Sequence, residues 1–158
     1  MKLISNSPAE TYDLGFTLGK YCKGGFILCI EGDMGVGKTA LSQGIIRGLG
    51  VVDKYITSPT YTLVNEYNVQ EIAVFHFDIY RVGDYQELLG IGFEEYLRED
   101  SVVIIEWADM IGEYLPKGKI WISIGKTIDE DLRTITIDGI EDLGLELLQQ
   151  ELRKWEKK

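Results

Sequence analysis

The stretch "IEGDMGVGKTALSQG", residues 30–44, constrains the fold more than any other part of the chain. Within it Gly32, Gly37, Lys38 and Thr39 satisfy the pattern G-x-x-x-x-G-K-[ST]. They follow the apolar run "FILCIE" and precede a stretch of helical periodicity, and this strand, loop and helix context carries more weight than the letters themselves. Glycines at these positions, with Gly35 between them, let backbone N–H groups turn inward on a phosphate, and the helix N-terminus adds the positive end of its dipole. The expected cradle runs through Asp33, Met34, Gly35, Val36, Gly37, Lys38, Thr39 and Ala40. Lys38 is expected to reach the β- and γ-phosphates, and the Thr39 hydroxyl to sit on Mg²⁺. A tight glycine turn that binds nothing is the plainer alternative, but it gives no reason for the lysine–threonine pair.

Elements of alternating kind surround that loop. Ser7, Pro8 and Glu10 form a capping signature for a helix over about 8–21, with Leu14 and Leu18 on one face. Gly24-Gly25 ends that segment before the strand. A second helix is predicted from Lys38 to Leu49, closed by Gly50. "TLVNEYN" and "IAVFHFDIY" alternate as strands, and "DYQELLGIGFEEYLRED" reads as a broken helix whose start is marked by Asp84 and Glu87. "SVVIIEW" is a continuous apolar run, as expected of a central strand covered on both faces. "DMIGEYLP" reads as a short helix stopped by Pro116, "KIWISIG" and "LRTITID" as strands, and "EDLGLELLQQELRKW" as an amphipathic helix. The fold class implied is α/β, a P-loop NTPase fold with a mixed, mainly parallel central sheet flanked by helices. Antiparallel strands are expected from the paired runs at 62–80 and 119–138. With no repeat or linker in 158 residues, the chain is expected to form one domain over 1–158.

A phosphate loop calls for an acid at a neighbouring strand end, where it holds Mg²⁺ or positions the nucleophile. Two candidates exist. Glu106 ends "SVVIIE" and Asp78 ends "IAVFHFD". The two-residue strand period puts Val102, Ile104 and Glu106 on one face, and Ile72, Val74, His76 and Asp78 on another such row. Either acid could instead cap a nearby helix. Asp109 imitates a D-x-x-G element but is read as a helix cap. His76, the sole histidine, is read first as a hydrogen-bonded sheet residue. Thr57, Ser58, Thr60 and Thr62 around Pro59 form a hydroxyl-rich loop, either a polar turn or a segment that closes over the γ-phosphate.

A net charge of -10 and a pI near 4.6 exclude a surface that grips nucleic acid unaided, since such binding depends on lysines and arginines neutralising phosphates. Any tRNA contact is expected to be indirect. The basic tail Arg153, Lys154, Lys157 and Lys158 reads as a solvated helix end. Cys22 and Cys29 read as free thiols suited to a reducing cytosol. The N-terminus "MKLISNSPAET" lacks a long apolar segment, and no run reaches the ~18 residues of a membrane span. A cytoplasmic protein with no membrane association is expected.

The succession "GDMGVGKT", "SPTYTLVNEY", "HFDIYR" and "IIEW" resembles the bacterial TsaE family, the ATPase that supports threonylcarbamoyladenosine modification of tRNA. With the leading "SPAET" helix and the "LRTITI" strand, the resemblance spans roughly residues 5 to 138. It implies an ATP- and Mg²⁺-dependent accessory enzyme that acts on a complex of TsaB and TsaD, its hydrolysis resetting the complex and tRNA being met only through it. On matching positions it makes Lys38 and Thr39 the phosphate and Mg²⁺ residues and Glu106 the metal-associated acid. It makes Asp78 the other required carboxylate and Trp107 the aromatic beside the glutamate. Thr11 and Arg133 are placed by it near the base end of the nucleotide. Met34, Val36 and Ala40 depart from the commoner family residues and remove no required group.

Arginines number five, Arg47, Arg81, Arg98, Arg133 and Arg153, with no clustered lid among them. That weakens a kinase reading and leaves the stabilising cation to Arg81 or to a partner. The expectation is a weak ATPase, faster in its complex. The alternatives are a small-molecule P-loop kinase and a non-catalytic nucleotide-dependent switch. Absence of N-K-x-D favours ATP over GTP.

Overall fold

Strands β1 (Lys2–Ser5), β2 (Ile27–Glu31), β3 (Val64–Val69), β4 (Ile72–Asp78), β5 (Ser101–Glu106), β6 (Ile120–Lys126) and β7 (Arg133–Asp138) form one sheet in the order β1-β7-β6-β2-β5-β4-β3. Helices α1 (Pro8–Tyr21), α2 (Lys38–Gly48), α3 (Tyr85–Gly90) and α4 (Glu146–Leu152) pack on it, and short 3₁₀ turns complete the chain. The computed structural model describes residues 1–156, so Lys157 and Lys158 of the basic tail lie outside it. The four inner strands β6, β2, β5 and β4 run parallel, while β1, β7 and β3 join antiparallel at the two sides. The chain is therefore a mixed α/β protein, with the expected hairpins at 62–80 and 119–138 both formed.

Two apolar layers cover the sheet. On one face Leu14 and Leu18 of α1, Leu41 and Ile45 of α2, and Leu148 of α4 belong to one apolar cluster with Val74, Val102 and Ile104. On the other, Leu88, Phe93, Ile111 and Leu115 meet Phe75, Phe77, Val103 and Ile105. Every residue of β5 is buried, which is why its sequence is an unbroken apolar run with one acid at its end. Because β2, β5 and β4 are parallel neighbours, their C-terminal residues Glu31, Glu106 and Asp78 reach the same edge.

α1 begins as its sequence predicts. The Ser7 side chain accepts from the Glu10 N–H and Pro8 fills the first turn. Glu10 reaches one residue further back than a capping box requires, accepting from the Asn6 N–H. α1 and α2 then approach unusually closely through two pairs of glycines. A Cβ on Gly15 would lie 2.3 Å from the Leu41 carbonyl oxygen, and one on Gly19 2.1 Å from that of Ile45. Reciprocally, Gly44 would meet the Tyr12 oxygen at 2.2 Å and Gly48 the Phe16 oxygen at 2.1 Å. Each pair is four residues apart, so both lie on one helix face. Backbone rests on backbone, and no side chain separates the two.

Several elements differ from expectation for local reasons. β1 was not expected, because four residues beside the first helix carry too little pattern; β7 supplies its partner. β3 begins at Val64 and not at Thr62, since Leu63 takes a left-handed φ of 69°. "DMIGEYLP" forms two 3₁₀ turns, Ala108–Met110 and Gly112–Tyr114, and no α-helix. Asp109 therefore caps nothing: it lies inside the first of those turns, whose N-cap is Trp107. The C-terminal helix is broken by Gly144 at φ 66° into a 3₁₀ turn, the helix α4 and a second 3₁₀ turn that carries Arg153 and Lys154. Cys22 and Cys29 are both free, and burial pushes the Cys29 thiol up to about 12. Among the described residues no helix is long and apolar enough to cross a membrane.

The glycine contact yields a direct test. Gly44→Ala should lower stability by about 2 kcal/mol, since the clash with a backbone carbonyl outweighs the better helix propensity of alanine. Gly90→Ala in α3, whose Cβ would meet nothing within 4 Å, should be neutral or slightly stabilising. Denaturant unfolding midpoints of the two variants against the parent chain make the comparison.

Candidate active site

Between β2 and α2 the loop turns on glycines that no other residue could replace without strain. Gly32 has φ 150°, and a Cβ there would lie 2.5 Å from the Ile124 carbonyl oxygen. Gly37, the N-cap of α2, has φ 120°. No side chain caps α2 and no acid stands in its first turn, whereas Ser7 caps α1 and Asp84 caps α3. The positive end of α2 thus has no capping side chain and no acid of its own first turn to offset it.

That helix end forms one wall of a cavity of about 410 Å³. Met34, Gly35, Gly37, Lys38 and Thr39 line it from the loop; Asp78 and Tyr80 line it from the end of β4, and Glu106 and Trp107 from the end of β5. Ser58 and Thr60 of the hydroxyl-rich loop complete it. The expected lysine, threonine and both strand-end acids therefore converge, although 28 residues separate Asp78 from Glu106 in sequence. Adjacent parallel strands in register bring them together, Asp78 opposite Glu106.

The polar groups are interlocked. Glu106 receives the Thr39 hydroxyl at 3.2 Å on Oε1, while its Oε2 lies 2.5 Å from His76 Nε2. Asp78 accepts the Tyr80 N–H at 3.1 Å on one oxygen and the Thr60 hydroxyl at 3.4 Å on the other. Thr60 is joined to Ser58 at 2.8 Å, so the 57–62 loop is tied to Asp78. Lys38 donates to the Gly32 and Asp33 carbonyls at 2.6 and 2.7 Å, and its ammonium stands 4.0 Å over the Trp107 ring.

Burial sets the electrostatics. It lowers the Lys38 ammonium below the usual lysine value, against the opposing pull of Glu106 and Asp78. It raises the Asp78 carboxyl, partly offset by the Tyr80 N–H and reinforced by the Glu106 charge. Trp107 reaches its place over Lys38 by taking a left-handed φ of 65°, a conformation that costs a non-glycine residue roughly 1–2 kcal/mol. Tyr80 packs on the same indole with ring centroids 4.7 Å apart.

Some expected residues stand elsewhere. Asp33, Val36 and Ala40 do not line the cavity: Asp33 contributes its carbonyl to Lys38, and Val36 is buried. Thr11 and Arg133 lie on the opposite side of the loop, around a hollow of about 110 Å³ that shares Gly35 and Gly37 with the main cavity. There Arg133 Nε donates to the Val36 carbonyl at 2.9 Å. Among the described residues no arginine lines the main cavity, and Arg81 stacks on Tyr61 at 4.9 Å. Tyr80 was missed; the two-residue period beyond Asp78 was the available signal. The His76–Glu106 contact was missed too, although strand period places each on a row that ends in a carboxylate.

Comparison with known proteins gives a consistent result. The family model "Threonylcarbamoyl adenosine biosynthesis protein TsaE" matches residues 5–135. The tRNA threonylcarbamoyladenosine biosynthesis protein TsaE of Bacillus subtilis is 36% identical over 154 residues, covering 98% of this chain and 94% of its own. The protein of that name from Haemophilus influenzae is 37% identical over 119 residues, covering 75% and 73%. The crystal structure of Bacillus subtilis YdiB superposes with a TM-score of 0.75 at 32% identity, covering 98% of this chain and 94% of that one. On sequence and fold together, this chain belongs to the TsaE family.

Proposed function

We propose that the chain is a Mg²⁺-dependent P-loop ATPase that serves threonylcarbamoyladenosine modification of tRNA by acting on a complex of TsaB and TsaD. The observation that carries the reading is the convergence of Lys38, Thr39, Asp78 and Glu106 on one cavity at the uncapped N-terminus of α2. Phosphate suits that place because a glycine loop, the uncapped end of a helix and a buried lysine line it.

The donors also suit the metal. Mg²⁺ prefers oxygen and is commonly bound through one or two protein groups plus substrate phosphates. The Thr39 hydroxyl and the Glu106 carboxylate are such a pair, already in contact with each other. Among the described residues no group of three or more His, Cys, Asp or Glu side chains gathers as a self-sufficient metal cage, which fits a site that shares its metal with a nucleotide. Bound there, Mg²⁺ would neutralise phosphate charge. Asp78, joined to Thr60 rather than to Thr39, is assigned the water-positioning role. Thr11 and Arg133, around the hollow behind the loop, are assigned to the base end.

Lys38 is the one cation that lines the cavity among the described residues. A phosphoryl-transfer site commonly uses a second, and an arginine supplied from outside can be worth about 10³ to 10⁵ in rate. The acidic surface agrees with this arrangement, because the partner complex would hold the tRNA.

Lys38→Ala should weaken ATP binding about 10- to 100-fold, the worth of a charge-assisted contact; isothermal titration measures it, and unchanged affinity would overturn the site. Purified chain should turn over ATP slowly and accelerate when TsaB and TsaD are added; full steady-state activity alone would refute partner stimulation. Asp78→Asn should cut hydrolysis by about 10²-fold while raising the unfolding temperature. The sign follows from burial: a carboxyl raised in the folded state destabilises the fold once it ionises. The thermal advantage of the variant should therefore be present at neutral pH and vanish as pH falls through the raised value of Asp78 toward the ordinary carboxylate range.

A further inference from the structure

His76 is the only histidine in the chain, is fully buried, and does not line the cavity. It sits on β4 one row behind Asp78, opposite Ile104, with its imidazole against the far side of the Glu106 carboxylate. Its single polar contact among the described residues is Nε2 to Glu106 Oε2 at 2.5 Å, and Nδ1 has no hydrogen-bond partner there. A residue present only to fill the space would be apolar, since a buried ring nitrogen without a partner is costly. The expense is explained if the other nitrogen has a task.

We propose that His76 is a positioning residue for Glu106: its Nε2–H holds one carboxylate oxygen so that the other stays turned to Thr39. An ionised carboxylate can only accept, so the proposal requires the proton to be on Nε2. With Oε2 held by His76 and Oε1 by the Thr39 hydroxyl, rotation of the carboxylate about its own axis would break two bonds at once. Without His76 the carboxylate is free to turn its oxygens away from Thr39. Outer groups of this kind typically govern metal affinity or activity by about 10- to 100-fold. This inference rests on the reading that Glu106 and Thr39 serve Mg²⁺, and it adds the residue that aims the acid.

The sole histidine gives an unambiguous measurement. In untagged ¹⁵N-labelled protein, imidazole nitrogen shifts should show a proton on Nε2, whatever the state of Nδ1; a bare Nε2 overturns the proposal without any variant being made. His76→Phe keeps a ring but no donor, whereas His76→Gln offers an amide N–H near the position of Nε2. The Mg²⁺ concentration for half-maximal hydrolysis should rise about 10- to 100-fold in the Phe variant and be largely restored in the Gln variant. ATP binding in EDTA should be the same in both as in the parent. An unchanged Mg²⁺ requirement in the Phe variant, or equal loss in the two, reduces His76 to core packing and overturns the proposal. Hydrolysis indifferent to Mg²⁺ in the parent chain would instead overturn the proposed function, and this inference with it.

Discussion

One buried carboxylate ties the site together. Glu106 has almost no exposed surface, and each of its oxygens is committed to a different element, one to Thr39 at the start of α2 and one to His76 on β4. Burying a charge is tolerable only when its lone pairs are satisfied, so the end of β5 cannot be placed independently of the helix and the neighbouring strand. Lys38 lies under the same constraint. Its ammonium is held by two loop carbonyls and an indole face, and the acids around it offset part of the penalty of burial.

The site also depends on how close two helices can come. With four glycines facing each other, α1 lies against α2 at backbone contact, and the first turn of α1 carries Thr11 to within reach of the loop at Gly37. A thicker interface would shift the N-terminus of α2 away from the strand ends. Packing in one place and polar geometry in another are thus linked by rigid helices rather than by direct contact.

What could be read from the sequence followed the strength of local signals. Strong ones, such as the Ser7 cap, the apolar run of β5 and the loop glycines, fixed their elements nearly to the residue. Weak ones failed for identifiable reasons: β1 has four residues and owes its existence to β7, and Trp107 at φ 65° and Ile111 at φ -131° bound separate 3₁₀ turns where "DMIGEYLP" suggested a helix. At the candidate site, residue type and strand period pointed to Lys38, Thr39, Asp78 and Glu106, which line one cavity. Partners were less legible than positions. No local rule says that Thr60 bonds Asp78 or that His76 bonds Glu106, because both contacts cross between elements.

The register of β4 against β5 has a further consequence. Parallel neighbours lie about 4.8 Å apart, and the pairing of Asp78 with Glu106 and of His76 with Ile104 sets which side chains share a face. A slip by one residue would turn His76 and Asp78 to the opposite face together, while Glu106 kept its place without either companion. A misaligned sheet could still bury apolar residues on both sides, since β4 and β5 are apolar on each. It could not satisfy the charges at its edge. The polar groups at the strand ends therefore distinguish the observed register from its neighbours, a distinction that apolar burial on both faces does not make.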